Sequence, residues 1–313
     1  MIYSSGIQKI RIIFLLLIIL PNLVFSGEVG FVDTSAARLD RISAQFLGAP
    51  YVLGALGEGK EGRYDQFPLY RLDAFDCETF VTSVLAWFFA EQEGVDKVGV
   101  DAPRYQYWLR QLRYDQGKVG YLQRNHFTSI DWNQHNQALG LLRDITETIY
   151  DKHGKPVFSL SHTRIDKANW FAHRSLSSIR LRHANTQEQQ ARLQELQKAG
   201  QGFTPQESIL SYLSFSVLFD AQWRPNYDLF DQIPSGAIVE IVRPDWLMPG
   251  PGEIHNDISH LGFVFRKEGV LWFRNASSLQ SKVYEVPLID YLAVQGKNSP
   301  TIKGIHVLLV RSI

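Results

Sequence analysis

The sequence predicts an α+β protein on three observations. A helical apolar period begins at the chain's single cysteine, a meander of alternating apolar residues runs from 258 to 310, and helical periodicity dominates much of the stretch between them. From Cys77 the apolar residues recur at Phe80, Val81, Val84, Leu85, Phe88 and Phe89, the spacing of a helix with a buried face. Asp76 is placed to cap this helix and Gly94 to stop it. In the meander, 258–265 reads as one strand, 270–275 as its return and 304–310 as the last, after a short helix near 288–293.

Residues 1–26 carry Lys9 and Arg11, an apolar run over 12–20, and Val24 and Ser26 before a candidate cut. This is the pattern of a signal peptide. The run falls short of the ~20 residues of a membrane span. An exported chain starting at Gly27, periplasmic or secreted and with no stable membrane anchor, is therefore expected. Without Lys9 and Arg11, 30 basic residues remain against 32 acidic, and no basic cluster points to nucleic acid. One cysteine excludes a disulfide scaffold and a thiolate zinc cluster, and the nine histidines form no His-Glu-x-x-His pair. No metal and no cofactor are expected.

Along the chain, 34–46 is amphipathic through Leu39, Ile42 and Phe46. The glycine-rich loop after Gly48 is either a surface connection or the means of delivering Tyr51 to the start of the cysteine helix. Residues 101–149 read as mainly helical. Within them, 126–133 mixes rings with polar tips, which suits either a core or sugar binding. Residues 185–199 read as an exposed helix. Thr204-Pro205-Gln206-Glu207 has the form of a capping box, but 213–219 alternates with strand period, so a short turn followed by a strand is expected there. Prolines 225, 234, 244, 249 and 251 mark loops around a strand at 237–242.

A lone cysteine in an exported chain is a buried filler, a hook for another chain or a nucleophile. The first turn of a helix favours a thiolate, but by roughly 0.3–1 kcal/mol. A tenfold change in ionisation needs ~1.4 kcal/mol, and Asp76 and Glu78 oppose it. A nucleophilic Cys77 therefore needs an imidazole. His260 shares a strand face with Ile258, Gly262 and Val264, and the glycine leaves room above the sheet. The hairpin loop near 266–269 decides its partner. A four-residue loop sets Asn275 opposite His260, a two-residue loop sets it diagonally on the same face, and a three-residue loop sends it to the other face.

Gly48-x-Pro50-Tyr51-x-x-Gly54, Phe75-Asp76-Cys77, Ser259-His260-x-Gly262 and Phe273-Arg274-Asn275-Ala276-Ser277 together resemble the ordered signatures of NlpC-type, papain-like cell-wall cysteine hydrolases. The resemblance covers a core of about 42–93 and 233–311 in a single catalytic domain, 27–313. It leaves a large, mainly helical insertion over about 100–232. With Asn133 in a His-Phe-x-x-x-Asp-Trp segment and a last strand ending at Arg311, the chain is most similar to the exported amidases first catalogued as a domain of unknown function. That likeness implies hydrolysis of the N-acetylmuramoyl-L-alanine bond of soluble muropeptides, with peptidoglycan fragments as partners. It implies Cys77 as nucleophile, His260 as base and acid, Asn275 orienting the ring, and Tyr51 with the Cys77 amide serving the oxyanion. Glu78 and Thr79 stand where the commoner endopeptidases have Ser-Gly, so the pocket beside the nucleophile differs. Together with Trp132 and Asn133 they are expected to touch substrate. A stem-peptide endopeptidase, an acyl or peptidyl transferase and a silent wall-binding module remain as alternatives.

Overall fold

The meander read from the sequence is the centre of a larger sheet. In the computed structural model, which describes residues 34–95 and 98–313, eight strands pair antiparallel throughout. They are β1 Leu142–Asp144, β2 Phe158–Ile165, β3 Gln206–Ser214, β4 Ile238–Leu247, β5 His255–Lys267, β6 Val270–Ser277, β7 Lys282–Pro287 and β8 Gly304–Val310. Their order is β2-β3-β8-β4-β5-β6-β7, and β1 pairs with the far end of the same β8 edge that β3 uses. The expected leader at 1–26 lies outside the described residues.

The helices are α1 Thr34–Ala44, α2 Cys77–Gln92, α3 Pro103–Arg113, α4 Gln134–Ala138, α5 Lys167–Ala172, α6 Thr186–Gly200, α7 Phe215–Leu218, α8 Tyr227–Phe230 and α9 Leu288–Asn298. Helix α2 is apolar on nearly every side and buried accordingly, from Thr79 to Ala86 and again over Phe88, Phe89 and Ala90. It packs with α1 and α3 on one sheet face, where Phe80, Val84 and Phe88 meet Leu261, Phe263 and Leu308. The opposite face is covered by α9, whose Leu288 and Leu292 join Val264, Phe273 and Val307. Among the described residues, no helix is long and apolar enough to cross a membrane.

Four expectations are corrected. The region over 100–232 is helical for much of its length, but it also supplies β1, β2 and β3, so it is part of the sheet as well as a cover for it. The capping-box segment forms a strand instead of a turn. Residues 206–213 pair with 165–158 along the whole of β2, and tertiary pairing outweighs a local helix signal. Residues 215–218, expected in a strand, close into the helical turn α7. Strand β7 was not anticipated; Val283 is its one fully buried side chain, and its partners lie in β6.

The fourth correction concerns 126–133. Residues 128–133 form a π-helical turn that buries Ile130 and Trp132. Trp132 is 0 % exposed and belongs to the core beneath α2 and α3. Asn133 is likewise buried, its Nδ2 donating to Glu240 Oε2 at 2.9 Å. Neither has surface to offer a substrate, because their apolar neighbours pull the segment inward.

Burial, reinforced by Asp257 and Asp144 and opposed by the Asn133 hydrogen bond, pushes the Glu240 carboxyl up to about 8. The folded chain thus keeps a proton that the unfolded chain releases near the ordinary ~4.3. Between those values stability falls as pH rises. We expect the thermal midpoint of Glu240→Gln to fall less than that of the wild type between pH 5 and pH 8. Parallel pH slopes for the two proteins would show that Glu240 does not hold this proton.

Candidate active site

Asp76 caps α2 from an extended conformation. Its side chain accepts the Thr79 N–H at 2.8 Å while Thr79 Oγ1 accepts the Asp76 N–H at 2.9 Å. This reciprocal box satisfies two donors at the helix start. Asp76 Oδ2 also accepts the Gly54 N–H at 2.8 Å, tying the glycine loop to the same point. Thr79 is thereby engaged in the cap and 1 % exposed, and it borders the helix-side depression together with Glu78. The box fixes Cys77 as the first residue of α2, with its own N–H free of any hydrogen bond among the described residues.

The hairpin between β5 and β6 turns on two residues, Glu268 and Gly269, both with positive φ, and pairs Lys267 with Val270. The ladder runs to Phe263 opposite Arg274 and ends there. The Val264 N–H points towards the β4 side, to Ala237 O, so the odd-numbered N–H groups of β5 point towards β6. Beyond the end of the ladder, the N–H groups of Leu261 and Glu78 lie near the sulfur of Cys77 and favour its thiolate slightly. The nucleophile candidate thus lies where the two strands part, against the residue next to His260.

Of the register options left open by the sequence, the two-residue loop is the one found. Asn275 is diagonal to His260 on one face, with His260 Nε2 and Asn275 Oδ1 2.9 Å apart. Gly262 is required between them. A Cβ there would lie 2.5 Å from Arg274 O and 2.8 Å from Asn275 Cβ. A β-bulge at Ser259, where Ile241 pairs with His260 but Val242 with Ile258, turns the histidine relative to the strand below. Since the Asn275 oxygen can only accept, Nε2 carries the proton and Nδ1 is left as the basic nitrogen.

Burial first, then Asp76 and Glu78, pushes the Cys77 thiol up to about 12, against the opposing pull of the Glu78 and Leu261 amides. Burial lowers the His260 pKa, and the hydrogen bond to Asn275 and the charge of Asp76 partly restore it. The resting pair is therefore a neutral thiol and a neutral imidazole. Burial, then Cys77 and Asp76, raise the Tyr51 phenol well above its ordinary value. Tyr51 thus reaches the vicinity of Cys77 as a permanently protonated donor. Tyr284 and Tyr291 were not anticipated. Tyr291 tilts over His260 with centroids 6.3 Å apart, and both tyrosines line the same depression as the histidine.

Glu78, unlike Thr79, keeps an accessible carboxyl beside a second depression. Burial pushes its pKa up against the pull of Arg113, whose Nε lies 3.9 Å away. The arginines of this depression were also missed, because their partners are remote in sequence. Arg124 reaches Glu58 and Asp65, and Arg180 reaches Asp65. Among the described residues, no group of three or more His, Cys, Asp or Glu side chains could hold a metal ion.

The family model described as AmiA-like, N-acetylmuramoyl-L-alanine amidase-like, matches residues 41–301. A crystal structure of a Legionella pneumophila protein assigned to a domain of unknown function superposes with a TM-score of 0.82. It is 43 % identical, and the match covers 88 % of this chain and 89 % of that one. An N-acetylmuramoyl-L-alanine amidase from Bacteroides uniformis shares the fold with a TM-score of 0.59 at 22 % identity, over 89 % of this chain and 100 % of that one. No curated protein matches.

Burial and the flanking carboxylates favour the protonated thiol at neutral pH, so a base that accepts its proton would speed alkylation. We expect His260→Ala to slow iodoacetamide alkylation of Cys77 at pH 7 at least about tenfold relative to wild type. Equal rates would show that the imidazole does not serve the sulfur.

Proposed function

The chain belongs to the N-acetylmuramoyl-L-alanine amidase-like family, and from that premise we propose that it is a cysteine amidase cleaving the bond between N-acetylmuramic acid and L-alanine in soluble muropeptides, anhydro forms included. The observation that carries this reading is the junction of β5 and β6, where Asn275 holds His260 at 2.9 Å and the start of α2, with Cys77 as its first residue, comes near Leu261 of the same strand. In this reading the core is NlpC-type and papain-like, a cysteine helix on an antiparallel sheet bearing the histidine.

The chemistry follows from the site. His260 Nδ1 takes the thiol proton as Cys77 Sγ bonds to the lactyl carbonyl carbon. The Cys77 N–H and the Tyr51 hydroxyl face the developing oxyanion, where fixed donors act most strongly. The C–N bond breaks as the imidazolium returns its proton to the leaving amine of L-alanine. Water, deprotonated by His260, then hydrolyses the thioester and restores the thiol. Asn275 acts through the ring, holding Nε2 so that Nδ1 faces the reaction.

Digestion of purified anhydro-muropeptides by the wild type is expected to give free disaccharide and intact stem peptide by mass spectrometry. Cleavage within the peptide would replace this reading with an endopeptidase, and acyl products with a transferase. Cys77→Ala is expected to lower kcat by on the order of 10⁴ or more; hydrolysis at the wild-type rate would eliminate the thiol. The proposal includes export through the leader at 1–26. The mature protein should then begin at Gly27 by N-terminal sequencing, and an intact Met1 on the mature protein would oppose it.

A further inference from the structure

Two clefts flank this site, one bordered by the neighbours of Cys77 and one lined by His260, and their chemistry differs. The cleft on the helix side, about 510 Å³, is bordered by Asp76 and Glu78 and lined by four arginines. Three of these face acids: Arg124 meets Glu58 and Asp65, Arg180 meets Asp65, and Arg113 approaches Glu78. Arg174 has none among the described residues. It stacks on Trp170 with its guanidinium carbon 4.3 Å from the ring centre, and its Nε is buried without a hydrogen-bond partner. The Nε of Arg113, itself 2 % exposed, is likewise unpartnered. An open guanidinium fork held flat on an aromatic ring is suited to a bidentate carboxylate.

The cleft on the His260 side, about 440 Å³, presents Trp246, Tyr284 and Tyr291 with Gln280, Gln295 and Ser278. Its charges are one of each sign: Arg243, stacked on Trp246 at 4.4 Å, and Asp290. Ring faces with amide and hydroxyl tips match a neutral sugar.

We propose, building on the amidase reading, that the substrate lies across Cys77 in one direction: the peptide half in the arginine-lined cleft, with a free stem-peptide carboxylate docked on Arg174, and the sugar half in the aromatic cleft beside His260. Arg174 is then a specificity-determining residue that selects stems with free carboxylates over amidated ones.

The test pairs two muropeptides, one with free stem carboxylates and one with them amidated, and also titrates the free and amidated stem peptides alone into the full-length protein. Wild type is expected to favour the free form about 10-fold to 100-fold in kcat/KM, mostly through KM, and to bind the free peptide more tightly. Arg174→Gln should lose that factor on the free form and nothing on the amidated one, with an unchanged thermal midpoint. A wild type indifferent to amidation overturns the proposal, as does an Arg174→Gln variant equally impaired on both substrates. Loss of the preference in Arg243→Gln instead would reverse the orientation and also overturns it. Arg174-dependent peptide binding without any cleavage would uphold the docking and refute the amidase reading, so the two failures are distinct.

Discussion

The arrangement of the site depends on a hydrogen-bond ladder that stops early. Strands β5 and β6 pair from the tight turn to Phe263 and Arg274 and then separate. The Leu261 amide, no longer opposite a residue of the neighbouring strand, lies near the sulfur of Cys77. The separation lets the start of α2, on one side of the sheet, bring the charge of Asp76 near His260 on the other.

The frame around this gap is rigid. Arg274, next to Asn275, is fully buried. Its guanidinium donates to Asp40 O and Ser43 Oγ of α1, pairs with Asp40 and Glu285, and stacks on Phe265. The first helix, β6 and β7 are thereby tied together by one buried cation, whose carboxylate partners Asp40 and Glu285 also meet Lys267. On the other flank, the Asp76 box holds α2 and the loop of Gly54. Helix and asparagine are each fixed by buried polar contacts, so the imidazole between them has little freedom.

What the sequence revealed of the site were the parts encoded by short-range pattern. The helix from Cys77, its Asp76 cap and the histidine strand follow from periods of 3.6 and 2, and the diagonal of His260 and Asn275 was one of three outcomes set by a loop length. The arginine cleft was invisible because its pairs are made across the chain: Arg124 and Asp65 are 59 positions apart, Arg180 and Asp65 115. Trp132 misled for a different reason. A tryptophan amid polar residues reads the same whether its ring is stacked on a sugar or buried in the core with α2 and α3, and only packing decides. Strand β3 was misplaced because its pairing with β2 is settled by a partner 41 to 55 residues earlier in register.

The position of β8 has a consequence for how the chain reaches this state. Residues 304–310 are the last strand in sequence yet lie in the interior of the sheet, with β4 along one edge and β3 and β1 sharing the other. Until they arrive, a nascent chain holds two incomplete half-sheets whose unpaired margins face each other, the form of surface that recruits strands from other molecules. Assembly is therefore obliged to be late and non-local, and while synthesis is under way the intermediate depends on protection from self-association.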